Sequence, residues 1–315
     1  MNQDLWIYRY ELTSAHALNQ VSAKTIHHGA LVRSGSGYGS IHPWPELGDE
    51  PLDEQLKSLV EGSPTRLAGI ALDCAEQDGA ARESGISLFA ENDAPIPESH
   101  WLFQSGDDVT KIRENGFSSV KLKIGPENPE LETVELAAEE ALRIRVDANA
   151  TFGFGSFQSW WKSLSETARE QIEFVEDPIP WNWWNWYCLE QSGVPLAVDR
   201  DVEKERPYAP WAIFKPAANR EDQVLPWARE KGLQIAVTSY MDHPLGQMWA
   251  ALAAQRLNVG EPDWLGDCGL LTHRCFAKNE FTERIEVAGS VLQATDGTGL
   301  GFDELLESLE WKRLI

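Results

Sequence analysis

Apolar and polar residues alternate in short runs near the start of the chain, in LWIYRYEL, KTIHHGALVR and SIHPW, with SGSGYG between the last two. A period of two broken by a Gly/Ser turn predicts a strand followed by a β-hairpin. PLDEQLKSLVEG and TRLAGIALDCAEQDGAARESG then space their apolar residues by three and four, which predicts two helices. The Pro-rich ENDAPIPESH marks a junction. Residues 1–93 are therefore expected to form a small α+β domain.

Beyond that junction the rhythm changes to short apolar runs alternating with amphipathic stretches, the pattern of repeated βα units around a parallel sheet. Eight candidate strands are HWLFQ, SSVKLKIG, LRIRVDANA, IEFVEDPI, PLAVDRD, WAIFKPA, LQIAVTSY and PDWLGD. Segments such as PELETVELAAEEAL and PLGQMWAALAAQRL supply helices between them. The expected fold class is α/β, a TIM-type (β/α) barrel over residues 94–285. RIEVAGSVLQAT, DGTGLGF and a short helix close the chain, and residues 286–315 are expected to return to the first domain, so that both ends build one cap.

Composition narrows the partners. The 315 residues are 42% hydrophobic, enough for a large core, and 50 acidic against 27 basic residues give a formal charge of −23. Such an excess disfavours nucleic acid and anionic membrane. No apolar run approaches the ~18 residues of a membrane span, and MNQDLWIYRYEL lacks the charged-then-apolar order of a signal peptide, so a cytoplasmic protein is expected. Cys74, Cys188, Cys268 and Cys275 form no CxxC pair and read as reduced packing residues. Nothing in the sequence fixes the oligomeric state.

Chemistry gathers at the C-terminal ends of barrel strands. There the second strand carries Lys121 and Lys123, the third Asp147, the fourth Glu176, the fifth Asp199 and the sixth Lys215. Each has a bland reading alone: a KxK strand is commonly a solvated edge, a carboxylate at a strand end is commonly a cap, and Lys215 before Pro216 could snorkel. Six charges on five consecutive strands make a stronger joint case. Three converging carboxylates repel unless a hard divalent cation sits among them, and oxygen ligands suit Mg²⁺. Lys121 and Lys123 share a strand face ~6.6 Å apart. At an effective dielectric of about 20 they repel by roughly 2.5 kcal/mol, which moves a lysine towards use as a base near neutral pH, although the carboxylates pull the other way.

KxK, D-x-N, E-D-P, Asp and K-P on successive strands resemble the enolase superfamily in its muconate-lactonizing branch. GYGSIHPW, ALDCAEQDGAARESG and DGTGLGF look like the capping domain of that superfamily. R-x-D-x-N at Arg145, Asp147 and Asn149, with the short barrel and cap, is most similar to the o-succinylbenzoate synthase family. The resemblance implies a lyase that dehydrates a cyclohexadiene carboxylate in menaquinone biosynthesis. It implies that Asp147, Glu176 and Asp199 hold Mg²⁺, with Mn²⁺ as a substitute, and that the metal binds the substrate carboxylate. It further implies that Lys123 takes the α-proton and returns it to the departing hydroxyl, that Lys215 stabilises the enediolate, and that Lys121 supports the anion and depresses the pKa of Lys123. Asn149 and Ser239 fall on the substrate side. Two other readings stand: a racemase or epimerase of N-acyl amino acids or dipeptides using the same opposed lysines, and an enolase-like barrel that binds without catalysis.

Several features keep two explanations. Strand alternation puts Arg145 and Asn149 on the face of Asp147, and Arg145 reads equally as an internal partner for a barrel carboxylate. Asp201 competes with Asp199 as a ligand, while Ser40 and the run Tyr240, Met241, Asp242, His243 depart from the family pattern near the substrate. WNWWNWYC either walls the mouth of the site or packs a helix on the barrel, the second being favoured. His27 and His28 read as hairpin residues, His243 as a rim or capping residue, and SGSGYG as a turn rather than a phosphate loop because no helix follows it.

Overall fold

A computed structural model describes residues 4–19, 21–91, 94–204 and 206–314. Near the start, β1 (Leu5–Thr13), β2 (Ile26–Ser34) and β3 (Gly37–Ile41) form the antiparallel meander that alternation predicts. Gly35, at a φ of 60°, turns the β2–β3 hairpin. Helices α1 (Leu52–Val60) and α2 (Arg66–Glu83) follow, α2 capped at its start by the Thr65 hydroxyl. Ala30, Val32, Ile41, Leu56, Leu67 and Ala71 are all buried in one cluster between this sheet and these helices. The glycines of SGSGYG have a second use beyond the turn. A Cβ on Gly37 would lie 1.8 Å from the Ala75 carbonyl oxygen, and one on Gly39 would lie 2.0 Å from that of Ala71, so β3 runs directly against the α2 backbone.

Seven parallel strands make the second sheet: β4 (Trp101–Leu102), β5 (Ser119–Lys123), β6 (Arg143–Asp147), β7 (Ile172–Glu176), β8 (Leu196–Val198), β9 (Trp211–Phe214) and β10 (Gln234–Val237), in sequence order. Helices α3 (Val109–Glu114), α4 (Leu131–Glu139), α5 (Phe154–Ser163), α6 (Glu166–Gln171), α7 (Trp183–Gln191), α8 (Glu221–Lys231) and α9 (Pro244–Gly260) lie between or after them. The expected eighth strand, PDWLGD, is not one: Pro262–Trp264 forms a 3-10 turn. Closure is made by single bridges that start within this run, Leu265 to Ile235, and continue past it, Gly269 to Thr238 and Cys268 to Ser99, the segment preceding β4. Proline at the start of that run favours a helical turn, and the bridging backbone is too irregular to carry strand periodicity.

Alternation within the strands sorts the barrel faces. Val120, Leu122, Ile144 and Val146 are buried towards the helices, whereas Phe174, Ala197, Ile213 and Ala236 pack together in a small separate cluster inside. Two residues further along each of these four strands stand Glu176, Asp199, Lys215 and Thr238, the next inward layer. The tail adds a hairpin, β11 (Val287–Ala288) with β12 (Val291–Leu292), then α10 (Asp303–Ser308), and ends in β13 (Lys312–Arg313). β13 pairs antiparallel with β1. Buried Asp78 of α2 accepts N–H bonds from Tyr38 at 2.9 Å and Leu300 at 2.7 Å, tying β3, α2 and the tail together. The expected boundary at 93/94 falls beside residues 92–93, outside the described residues. Among those described, no helix is long and apolar enough to cross a membrane.

Candidate active site

Lys123, Asp147 and Glu176 are direct Cα partners across β5, β6 and β7, so in-register parallel pairing carries these ends of three strands to one level. A cavity of about 400 Å³ opens there, lined among others by Lys121, Lys123, Asp147, Asn149, Asp199 and Lys215. Glu176 is completely buried behind it. Ser239 also lines the cavity, its hydroxyl bonded to Thr272. From the cap come Leu18, Asn19, Trp44 and Asp49.

The lysines and carboxylates hold one another. Lys121 Nζ lies 2.7 Å from Glu176 and 3.3 Å from Asp147, and Lys215 Nζ lies 2.6 Å from Asp199. Lys215 also sits 5.8 Å from the Tyr240 ring centre. Among the described residues no three His, Cys, Asp or Glu side chains are gathered as a ready-made cage for an ion, because ammonium groups occupy the carboxylates. The donor set nonetheless suits a hard dication: all are carboxylate oxygens, and Glu176 Oε1 is buried with no hydrogen-bond partner among the described residues. Asp201, the rival ligand, is exposed and paired with Lys204 at 3.1 Å and Arg206 at 3.0 Å.

Charge states follow from burial and neighbours. Burial works against the Lys121 ammonium form, but Glu176, Asp147 and Asp199 outweigh it and raise the pKa. Lys123 moves the other way. Burial is the largest cause; Asp147 opposes it, and Lys121 and Lys215 add to the lowering. Repulsion from Lys121 is thus a contributor and not the main cause that strand geometry suggests. Burial also works against the Asp147 charge, yet Lys121, Lys123 and Lys215 hold that carboxyl at about 2. Burial pushes Glu176 up to about 7 against the pull of Lys121. Lys123 Nζ donates to the Leu18 carbonyl of the cap and lies 3.5 Å from Met241 Sδ.

Other expectations change in detail. β6 ends at Asp147, and Asn149 adopts a left-handed φ of 48°, so strand alternation does not place it. Its amide donates to Asp147 Oδ1 at 2.7 Å and orients that carboxylate. Arg145 is fully buried, bonded through Nε to Glu173 at 2.6 Å, which fits an internal partner. Ser40 bonds Tyr10 at 3.2 Å and does not line the cavity. His243 caps α9, accepting from the Leu245 N–H at 3.1 Å. His27 is buried against Trp44 with ring centres 4.6 Å apart, while His28 faces Glu11 at 3.8 Å. In WNWWNWYC, Trp186 is buried against the barrel, Trp183 and Trp184 are exposed, and none lines the cavity.

Sequence reasoning passed over Asp177, inside the quoted E-D-P. Its carboxylate accepts the Arg200 N–H at 2.7 Å and the Asp199 N–H at 3.4 Å, fixing the turn that presents Asp199. Burial pushes it up to about 8. It also passed over His100, whose place at the head of HWLFQ was the available signal.

Residues 5–81 match the family described as o-succinylbenzoate synthase, N-terminal domain, and residues 105–213 match the enolase C-terminal domain-like family. The o-succinylbenzoate synthase of Bdellovibrio bacteriovorus is 30% identical, covering 97% of this chain and 97% of its own. This chain belongs to the o-succinylbenzoate synthase family of the enolase superfamily. It is an enzyme, and a member of a lyase family. Among solved structures, muconate lactonizing enzyme from Pseudomonas fluorescens, complexed with muconolactone, aligns at a TM-score of 0.76 and 15% identity, covering 99% of this chain and 98% of that one. Dipeptide epimerase from Cytophaga hutchinsonii, complexed with Mg and a dipeptide, aligns at 0.74 and 17%, covering 99% of both. These likenesses confirm the barrel-and-cap fold of the superfamily.

Proposed function

We propose that this family member is an o-succinylbenzoate synthase of menaquinone biosynthesis, dehydrating a cyclohexadiene carboxylate to the aromatic product with Mg²⁺. Asp147, Glu176 and Asp199 would hold the cation, and Mn²⁺ would substitute for it. When bound, a dication polarises the substrate carboxylate and makes the α-proton more acidic. Lys123, the lysine whose pKa is lowered on balance, chiefly by burial, removes that proton at Nζ. The C–O bond on the neighbouring carbon then breaks, and the Lys123 ammonium returns the proton to the departing hydroxyl, which leaves as water. Lys215, just past the end of β9 across the barrel, stabilises the enediolate electrostatically. Lys121 supports the same anion. The observation carrying this reading is that two lysines of opposite pKa tendency, Lys121 and Lys123, share one cavity with Asp147 and Asp199 in a chain of this family.

A racemase or epimerase is the second reading, favoured by one feature, namely that Lys123, ending β5, and Lys215, just past β9, line one cavity. The deciding experiment supplies the cyclohexadiene carboxylate and, separately, N-acyl amino acids and dipeptides in deuterated water with Mg²⁺. Aromatic product from the first, absent in Lys123→Ala, supports the synthase. α-Deuteration of the amino acid substrates without any aromatic product would replace it with the epimerase.

A further inference from the structure

His100 precedes β4 on the floor of the cavity and is only 4% exposed. Its Nδ1 lies 3.1 Å from Arg145 Nη1, the same nitrogen that donates to the Asp267 carbonyl at 2.5 Å. A guanidinium keeps its protons in proteins and can only donate, so His100 Nδ1 must accept. That fixes the tautomer. The ring is neutral and its hydrogen is on Nε2. No hydrogen bond joins Nε2 to another described residue, and Lys121, Thr238 and Gly269 line the cavity beside it. Gly269 keeps the ring where it is: a Cβ there would stand 2.8 Å from His100 Cε1 and 3.0 Å from Nε2. The charged form is further opposed by burial first, then by Arg145 and Lys121.

A neutral imidazole between two cations is an economical donor, since it offers an N–H without adding a third positive charge to the floor. We propose that His100 is a catalytic residue, donating its Nε2–H to a carboxylate oxygen of the substrate on which negative charge builds as the α-proton leaves, with Arg145 as the positioning residue that locks the tautomer. This assignment rests on the function proposed above and names a group that neither the charge pattern nor the family motifs mark. Because the bond strengthens as charge develops, its loss lowers kcat more than it raises KM.

Three substitutions test it in the full-length protein with Mg²⁺ and the cyclohexadiene carboxylate. His100→Gln can present an amide N–H near the Nε2 position, His100→Asn reaches only the Nδ1 position, and His100→Phe has neither. Phe and Asn are expected to lose about 10²-fold in kcat with KM within about threefold, and Gln to recover at least about tenfold of that loss. Phe within about threefold of wild type in kcat, or Gln no better than Phe, overturns the donor role. ¹⁵N NMR of imidazole-labelled wild type is expected to show His100 protonated at Nε2, with Arg145→Met releasing a tautomer mixture. A proton on Nδ1 overturns the lock. Where a variant does not fold, the wild-type Nε2 resonance decides: it must move on saturation with o-succinylbenzoate, and an unmoved signal rejects contact. A wild type that neither binds o-succinylbenzoate nor forms it refutes the functional reading, and the donor role with it, while the tautomer is still read from the same spectrum.

Discussion

Lys121 Nζ sits 2.7 Å from Glu176 in a part of the barrel where both side chains are almost wholly buried. A buried ammonium bridging two carboxylates stands where a dication would otherwise supply the countercharge. Removing one partner of such a pair costs about 3–5 kcal/mol. Lys121→Met should therefore lose stability of that order in EDTA, measured by urea denaturation, and Mg²⁺ should restore more of it in the variant than it adds to wild type. Equal stability of the two proteins in EDTA would mean that Lys121 is not the internal counter-ion.

Lys123 should govern the rising limb of the pH–rate profile. The amine must be unprotonated to act as a base, so kcat is expected to climb with pH, through an inflection below the 10.5 of an ordinary lysine because burial disfavours the ammonium form. Lys123→Ala should remove turnover and that limb together while the far-ultraviolet circular dichroism is unchanged. A profile that keeps the limb in the variant assigns the base elsewhere.

Buried histidines should make the fold acid-sensitive. His42 and His243 are each held at about 3, chiefly by burial, whereas the unfolded chain takes up its protons near 6.5. Between those values the unfolded state binds more protons, so stability is intact above about 6.5 and falls as pH drops, by up to about 1.4 kcal/mol per pH unit for each group. His243→Asn keeps a capping acceptor for α9 and should flatten the slope between pH 4 and 6. An unchanged slope would show that His243 titrates alike in both states.

Asp242 carries the opposite sign. It is 1% exposed, no side chain among the described residues hydrogen-bonds its carboxylate, and burial raises it to about 7 against the pull of nearby backbone N–H groups. The folded state therefore keeps a proton that the unfolded chain releases near 3.8, and stability declines as pH rises through that interval to a constant penalty above about 7. Asp242→Asn should raise the melting temperature at pH 8 and make little difference near pH 4. A variant less stable than wild type at pH 8 would show the charged carboxylate to be satisfied.

Gly39→Ala should destabilise the cap by about 1–3 kcal/mol or more, since the new methyl group meets helix backbone that cannot rotate away. Gly35→Ala tests the contrast: no described residue would lie within 4 Å of a Cβ there, and the positive φ is what opposes the change. Equal losses at the two positions, by thermal denaturation, would reject close packing as the reason for Gly39.

Sequence alone determined the repeating βα order, the meander of the cap and the acids and lysines at strand ends, because period-two burial and strand-end polarity are local properties of the chain. Lys121, Lys123, Asp147, Asp199 and Lys215 could be named in advance because each closes an apolar run, and they do line one cavity. Tertiary structure decided what depends on residues far apart meeting. It reduced barrel closure to single bridges at Leu265, Cys268 and Gly269 in place of a regular strand, lowered the pKa of Lys123 mainly through burial, and gave the glycines of SGSGYG a helix to lie against. It also joined His100 to Arg145, 45 residues away, in a bond that neither strand's own pattern encodes. Periodicity reports which way a side chain faces; desolvation, donor–acceptor pairing and backbone approach arise only when distant segments share one volume.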